Sequence, residues 1–342
     1  MKKLLNTLYV TNPEAFACKK DDNVCVRIGG KDALKVPFHL LEGIVLFNYA
    51  GCSSALIAAC ASKGIGLAIL DEKGRFAARV EGPVSGNVLL RLAQYRKADD
   101  EAFSLRLSKR FVVAKLRNSR FVLMKQVSDY PELEKTVIPM TVNTLRNSED
   151  ACLDARSSQE LLGIEGDAAH AYFGSLQHLI RIPEVAETFS GRNRRPPKDP
   201  VNAALSFFYA LMARELATAC ETVGLDPQCG FYHRPRPGRS SLALDLIEEF
   251  RAPYVDRFVL SLFNRRQIGA SDFRSDGEGG VFFADDALKR ALDAWQRRKQ
   301  DEMVHPFLKE KVKMGLLPFV QAQLLARHLR GDLDDYPALL WR

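Results

Sequence analysis

The stretch IGLAILDEKGRFAARVEGPVSGNVLLRLAQYRKADD, residues 65–100, decides the fold because two kinds of pattern meet within it. Its first part alternates apolar and small or polar residues on both sides of the turn Asp71–Gly74, which is typical of a β-hairpin. Its last part has apolar residues at helical spacing, and EGPVSGN, residues 81–87, has the composition of a linker. The sequence therefore predicts a β-rich domain over residues 1–84 and an all-helical domain over residues 85–342.

The patterns on either side of this junction extend the same division. Upstream, Val24, Val26 and Ile28 alternate, and one short helix is expected to begin near Ser53 and to end at Gly64. Downstream, the helical periods cover residues 88–127, 130–190, 200–223, 240–265, 285–313 and 316–330, and FRSDGEGGVFF (273–283) is the single later β signal. The predicted fold class is α+β, with a small N-terminal β-sandwich-like domain followed by a larger all-α domain.

Composition excludes several classes of protein. No apolar run approaches the roughly 18–20 residues that span a bilayer, so no membrane segment is predicted. The N-terminal apolar stretch is short and is interpreted as a strand, not a signal peptide. The seven cysteines include no C-x-x-C pair, which argues against a structural zinc site. The sequence therefore predicts a cytoplasmic protein.

The positive charge is concentrated in three places. The net charge is +7, and no acidic residue occurs between Ala102 and Ser128. On a helix, five bases of that segment share one face: Arg106, Lys109, Arg110, Arg117 and Arg120. Two loops add further bases: Arg192, Arg194, Arg195 and Lys198 in the first, and Arg234, Arg236 and Arg239 in the second. Such clusters favour a polyanionic partner, although a solvated basic surface remains the alternative.

The second of these loops leads into a candidate metal site, HRPRPGRSSLALDLIEEFR, residues 233–251. The prolines after His233 exclude a helix there, so the imidazole lies on a loop. Asp245, Glu248 and Glu249 follow at i, i+3 and i+4, close enough for two carboxylates to share one cation. Histidine with carboxylates suits Mg²⁺ or Mn²⁺. Alternatively, Asp245 pairs with a nearby arginine, Arg239 or Arg251, while Glu248 faces solvent.

Two more stretches carry candidate site residues. In GIEGDAAHAYF (163–173), Glu165 lies between two glycines at the predicted start of a helix, where it could enter a crowded site or only complement the helix dipole. In GRNRRPPKDPVNAALSFFYALM (191–212), a basic loop leads into a helix that begins at Asp199-Pro200. Asn202 could hydrogen-bond a ligand or cap that helix.

Taken in order, GIEGDAAHAYF, RNRRPPKDPVNAALSF, the histidine after Phe-Tyr and GRSSLALDLIEEFR resemble the CRISPR-associated spacer-acquisition integrase family, over essentially the whole chain. The ending RGDLDDYPALLW is similar to members that accompany type I systems. The resemblance implies a β-sandwich domain, a helical catalytic domain, and a divalent metal, Mg²⁺ or Mn²⁺, held by a Glu, a His and a later acid. These match Glu165, His233 and Glu248. Asp245 falls where some members carry a further acid and is assigned a supporting role; which of the last two acids reaches the metal stays open.

The resemblance also implies a function and its partners. The protein would be a DNA endonuclease and integrase that joins the 3′-OH ends of a captured duplex to a CRISPR repeat array. It would form a homodimer, with the β-rich domain as the dimerisation element, and would assemble with a small second acquisition protein. The three basic clusters would contact phosphates of double-stranded DNA. Two other functions fit the same residues: a nucleic-acid-binding scaffold without chemistry, and a repair nuclease for branched DNA or RNA.

Overall fold

The computed structural model describes residues 7–47, 50–71, 76–80 and 88–341. The chain divides into two compact units. The first comprises Met1–Gly86, Asp285–Met303 and Lys313–Leu316, and the second comprises Asn87–Ala284, Val304–Val312 and Leu317–Arg342. The domain boundary predicted after residue 84 falls within residues 81–87, outside the described residues, and so stays a prediction. Residues 72–75, which contain most of the predicted hairpin turn, also lie outside them.

The first unit is built on two sheets. Its strands are β1 (Thr7–Val10), β2 (Phe16–Lys20), β3 (Asn23–Ile28), β4 (Lys31–Pro37), β5 (Gly43–Leu46), β6 (Gly66–Leu70) and β7 (Phe76–Val80). One sheet has the order β1-β5-β6-β7, in which the first three strands are parallel and β7 is antiparallel; the other is the antiparallel sheet β2-β3-β4. Ile44 of the first sheet and Val24 of the second belong to one apolar core. The predicted sandwich-like arrangement is confirmed.

One helix of this unit begins and ends as predicted. Helix α1 spans Ser54–Lys63. The Ser53 hydroxyl accepts a hydrogen bond from the Leu56 amide at 3.2 Å, which satisfies a donor of the first turn. Gly64 ends the helix with φ of +65°, a left-handed conformation that glycine adopts without steric cost. Leu56 is fully buried, so the helix closes the apolar core of the two sheets.

The second unit is mostly helical, as predicted. The remaining helices are α2 (Val88–Asp99), α3 (Glu101–Asp129), α4 (Ile138–Asp154), α5 (Ser158–Leu176), α6 (Pro183–Ala186), α7 (Pro200–Val223), α8 (Ser241–Ile247), α9 (Arg257–Asn264), α10 (Asp285–Gln300), which belongs to the first unit, and α11 (Leu317–Arg330). A π-helical turn, Arg251–Asp256, joins α8 to α9. Helix α3 packs against α4, α5, α8 and this turn, so it lies at the centre of the candidate site.

The predicted helix over 285–313 is wrong in its second half. Helix α10 ends at Gln300, and two short paired strands follow, β10 (Glu302–Val304) and β11 (Lys311–Lys313). Pro306 between them lacks an amide hydrogen and cannot continue a helix. The predicted flap is present as β8 (Phe273–Ser275) and β9 (Val281–Phe283), but it is not the only later β structure.

The described residues include no helix of the length and apolarity that a bilayer crossing needs. All seven cysteine thiols are free.

Candidate metal centre

Two of the predicted metal ligands converge on one cationic side chain. Glu165 of α5 and Glu248, which follows α8, both bind the ammonium group of Lys115 on α3. The Nζ–Oε2 distance to Glu248 is 2.7 Å, and the contact with Glu165 Oε1 is also a hydrogen bond. Lys115 is only 8% exposed. The two carboxylates are therefore brought together by a buried positive charge on α3.

Glu248 has a second cationic partner. The Arg251 Nε lies 3.0 Å from both carboxylate oxygens of Glu248. Burial opposes ionisation of Glu248, but the Arg251 guanidinium and the Lys115 ammonium outweigh it, so the pKa of Glu248 is lowered to about 2. Glu248 is 3% exposed, so the expectation that it faces solvent is wrong. The carboxylate is held in its charged form, as a metal ligand requires.

His233 is fixed by Asp245, which is fully buried. Asp245 Oδ1 accepts a hydrogen bond from the His233 amide at 2.7 Å and lies 2.8 Å from its ring Nδ1, while Oδ2 accepts from the amides of Phe231 and Tyr232 at 2.6 and 3.1 Å. With Nδ1 donating to Asp245, Nε2 has no hydrogen-bond partner in the part of the chain that the structure describes. This carboxylate–histidine pair orients the ring and leaves Nε2 as the ring nitrogen that could bind a cation. Asp245 pairs with neither Arg239 nor Arg251.

A glycine missed by the sequence analysis lets this loop approach α8. A Cβ atom on Gly230 would lie 2.7 Å from the His233 carbonyl oxygen and 2.8 Å from the Ser241 backbone. Any larger residue must push the histidine loop away from the start of α8, because real side chains do not make such close contacts. Gly230 is therefore part of what sets the position of His233.

The two pairs lie next to each other, but they do not form a finished ligand set. Tyr232 donates a hydrogen bond to Glu165 Oε2 at 3.4 Å, and the charge of a protonated His233 would help to lower the pKa of Glu248. Among residues 7–47, 50–71, 76–80 and 88–341, no three or more His, Cys, Asp or Glu side chains are arranged to hold a metal. The donor chemistry nevertheless fits a hard divalent cation, since two carboxylates already bind one cation beside an available imidazole nitrogen.

The position of Glu165 corrects one expectation. Helix α5 begins at Ser158, and its N-terminal cap is Ser157, so Glu165 lies two turns inside the helix. It cannot serve to complement the positive end of the helix dipole, an effect confined to the first turn. Its partner Lys115 accounts for its orientation instead.

Asp256 and two tyrosines form a buried polar group next to Arg251. Asp256, at the end of the π-helical turn, accepts hydrogen bonds from the hydroxyls of Tyr209 and Tyr172, the latter at 2.9 Å. Burial raises the pKa of Asp256 to about 6, although these two hydrogen bonds oppose the change. The Arg251 guanidinium lies 4.7 Å from the centre of the Tyr209 ring. The ring therefore offers Arg251 a cation–π contact in addition to its ion pair with Glu248.

Glu249, next to Glu248, binds a different part of the chain. Its carboxylate accepts hydrogen bonds from the Tyr336 hydroxyl at 2.6 Å, the Leu339 amide at 2.6 Å and the Gln321 side-chain amide at 2.7 Å. Asn118 of α3 donates to the carbonyl oxygens of Glu249 and Leu339 at 2.9 and 2.8 Å. Residues 336–341 are thus tied to both elements that carry the site, and Glu249 has no access to a shared cation.

The predicted basic face of α3 is largely occupied by protein partners. Lys109 donates to the Leu153 carbonyl oxygen at 2.6 Å, and Arg110 binds Asp335. Arg117 and Arg120 both bind the buried carboxylate of Glu149, at 3.1 and 2.7 Å. Arg106 is exposed and lies over the ring of Phe103. Four of these five residues therefore neutralise or cap neighbouring groups.

The loop before α7 is organised around Asn202, which is fully buried. Its Oδ1 accepts hydrogen bonds from Arg192 and from the Asn193 amide at 2.7 and 3.2 Å, and its Nδ2 donates to the Gly191 carbonyl oxygen and to Asp199 at 2.8 and 2.6 Å. Asp199 is the residue that caps α7. The expectation that Asn202 contacts a ligand or caps the helix is wrong, because every polar atom of its side chain holds the loop.

In each basic loop one arginine is bound to protein groups, and the other bases are exposed to solvent. Burial lowers the pKa of Arg192 to about 10, and its guanidinium is bound to Asn202 and Ser206. Arg239 binds Ser241 and the Arg234 carbonyl oxygen, which closes the second loop on itself. The bases of these loops that are exposed are Arg194, Arg195, Lys198, Arg234 and Arg236.

Comparison with known proteins gives one consistent family. The model of the family "CRISPR associated protein Cas1" matches residues 8–297. A CRISPR-associated endonuclease Cas1 of Rhodospirillum rubrum is 46% identical over the full length of both chains. Two solved structures share the fold at 22% identity. A casposase bound to an integration product has a TM-score of 0.84 and covers 98% of this chain and 94% of its own. A chain of a Cas6-RT-Cas1–Cas2 complex has a TM-score of 0.83 and covers 100% and 36%.

Proposed function

The chain belongs to the Cas1 family of CRISPR-associated proteins, and from that premise we propose that it is a divalent-metal-dependent DNA endonuclease and integrase. In the proposed reaction the 3′-OH of a short captured duplex attacks a phosphodiester at a CRISPR repeat, forms a new phosphate ester and displaces the 3′-oxygen of the repeat strand, which leaves as a free 3′-OH. In hydrolysis water is the nucleophile and the same bond breaks. The observation that carries this proposal is that Glu165 of α5 and Glu248, which follows α8, both bind the ammonium group of Lys115. Tyr232, the neighbour of His233 in the chain, also binds Glu165.

The chain's own residues have defined tasks in this proposal. Glu165, Glu248 and the Nε2 atom of His233 would hold the metal, and Asp245 keeps the imidazole ring in the orientation that presents Nε2. Arg251 fixes the carboxylate of Glu248 by contacting both of its oxygen atoms. When bound, Mg²⁺ or Mn²⁺ supplies Lewis-acid polarisation of the scissile phosphate and activates the attacking oxygen.

The exposed bases of the two loops are the proposed phosphate contacts. Arg194, Arg195 and Lys198 stand on one loop, and Arg234 and Arg236 stand on the loop that begins at His233. Arginine and lysine bind phosphate oxygens without reading base sequence, which suits a protein that accepts captured DNA of any sequence. Because the second loop carries both His233 and these arginines, a bound phosphate would lie next to the metal ligands.

The proposed partners follow from the family. We propose double-stranded DNA as the substrate, a homodimer formed through the N-terminal β-rich domain, and a complex with the small second acquisition protein. Support for the complex comes from the shared fold with a chain of a Cas1–Cas2 assembly, and support for strand joining from the shared fold with a casposase seen with its integration product.

The decisive experiment measures joining of a labelled 3′-OH duplex to a repeat-bearing plasmid. The variants are Glu165→Gln, His233→Ala and Glu248→Gln, and the matched control is Asp167→Asn, an exposed acid on the same helix as Glu165. Loss of a metal ligand should cost at least about 3 kcal/mol of transition-state stabilisation, or roughly a hundredfold in rate. If all three variants still join DNA, the assignment of Glu165, His233 and Glu248 as metal ligands is wrong. Nicked plasmid without joined product would identify a nuclease instead.

A further inference from the structure

The contacts of Lys115 set it apart from the other bases of α3. Its ammonium group contacts the carboxylates of Glu165 and Glu248, and it has no other polar partner in the part of the chain that the structure describes. The other bases of that helix segment lie at or near the surface, whereas the side chain of Lys115 is 10% exposed, beside an acid that is 3% exposed. Lys115 therefore serves this acid pair alone, and it occupies the space where the two acids converge.

The formal charges of the acid pair and its two bases balance only while Lys115 is present; Asp245 lies outside this group and is paired with His233. Glu165 and Glu248 carry two negative charges, and Lys115 and Arg251 carry two positive charges. A divalent cation that entered this group with Lys115 in place would leave two uncompensated positive charges in a mostly buried site, which is costly in a low dielectric. Nζ also occupies the hydrogen-bonding position on Glu165 Oε1 and Glu248 Oε2, so a metal could not reach these two oxygens without moving it.

We propose that Lys115 is the resident cation of this acid pair and that a divalent metal binds by displacing its ammonium group. This inference rests on the proposed metal-dependent function and adds a step to it. Before metal binds, Lys115 holds the two carboxylates together and offsets their repulsion. Metal binding is then an exchange of cations: the lysine leaves, the site gains one net positive charge, and that charge matches the single negative charge of a phosphodiester. Metal and DNA phosphate should therefore bind more tightly together than alone.

The first test compares Mn²⁺ affinity by isothermal titration calorimetry. Lys115→Met removes the competing charge, and Mn²⁺ should bind about tenfold more tightly or better, since a hydrogen bond to a charged group contributes on the order of 1.5–3 kcal/mol. Lys115→Arg keeps the charge and should bind like the wild type. The matched control is Lys125→Met, on the same helix, where the lysine pairs with exposed Asp129. An unchanged or weaker affinity of Lys115→Met would overturn the inference.

A second test uses the wild-type protein, so it does not depend on a variant that folds. Labelling of Lys115 by a small acylating reagent is measured by mass spectrometry with and without Mn²⁺. Displacement predicts that Mn²⁺ increases labelling of Lys115 several-fold and leaves Lys125 unchanged. If Mn²⁺ binds and labelling of Lys115 stays the same, the lysine remains in place and the exchange is refuted.

These tests separate failure of the inference from failure of the proposed function. Mn²⁺ binding that is lost in Glu165→Gln and in Glu248→Gln supports the metal site regardless of what Lys115 does. Absence of Mn²⁺ binding in the wild type and in Lys115→Met alike would refute both the metal site and the exchange.

Discussion

The buried carboxyl group of Glu249 should make stability depend on pH, and Glu249→Gln should remove that dependence. Burial raises the pKa of Glu249 from its ordinary 4.5 to about 7 in the folded protein, even though three donors surround the group. A raised folded-state pKa means that folding favours the protonated form. The contribution of this group to stability is therefore complete below about pH 4.5 and is lost as the pH rises through about 7. Glutamine, which is neutral and has the same shape, imitates the protonated form at every pH.

The size of the effect follows from the shift of the pKa. At 1.36 kcal/mol per pKa unit, a shift from 4.5 to about 7 corresponds to about 3 kcal/mol, most of which falls between pH 5 and 8. For a chain of this length that is roughly 4 °C in melting temperature. The assay is thermal unfolding of wild type and Glu249→Gln from pH 5 to 8. The difference between them should shift in favour of the variant as the pH rises.

The control is Glu184→Gln, which makes the same substitution at an exposed position instead of a buried one. A constant difference between wild type and Glu249→Gln over the whole range would refute the argument. It would mean that Tyr336, Leu339 and Gln321 together stabilise the carboxylate more than burial destabilises it.

Three further outcomes are expected. Asp245→Asn should weaken Mn²⁺ binding by about ten- to a hundredfold, as loss of an acid that orients a ligating histidine commonly does, and calorimetry would show it; an unchanged affinity would mean that the His233 ring needs no partner. Gly230→Ala should lower the joining rate about tenfold or more, because its Cβ would force the His233 carbonyl oxygen to move, and overpacking of this kind typically costs about 1–3 kcal/mol. Full activity would show that the loop accommodates the Cβ without moving His233 out of place. Replacing exposed Arg194 and Arg195 by alanine should make the negative slope of log affinity for DNA against log salt concentration shallower by roughly 2, and by the same amount for DNA of any sequence. Filter binding would measure the slope, and an unchanged slope would exclude phosphate contacts by these two residues.

The division into a β-rich and a helical part could be predicted because each has its own short-range pattern. Strand alternation around Val24 and the Ser53 to Gly64 helix signals are local properties of the sequence. The failure over 302–313 has a local cause too, because Pro306 lies in this segment and cannot continue a helix. The predicted end of a helix was least accurate where the spacing of apolar residues allowed the helix to continue.

The candidate site was only partly predictable, because partners distant in sequence decide what each side chain does. Glu165, His233 and Glu248 were named from the family resemblance, and the structure places the two acids together. Lys115 was not singled out: periodicity left it off the face shared by the five bases of its helix, but the sequence does not show which acids approach that position. Asn202 was misassigned for the same reason, as its partners Arg192 and Gly191 come from a loop whose course the sequence does not fix.

The ties between residues 336–341 and the site have a consequence for how the protein is made in the cell. Glu249 and Asn118 obtain hydrogen-bond partners from Tyr336, Leu339 and Trp341, which the ribosome adds long after the metal-site acids. Until those residues emerge, Glu249 keeps only Gln321 as a side-chain donor and Asn118 keeps only the Glu249 carbonyl oxygen, and each buried polar atom left without its partner costs about 1–3 kcal/mol. A growing chain should therefore fix the positions of Glu249 and α3, and with them the neighbouring Glu248 and Lys115, only after residues 336–341 have been added.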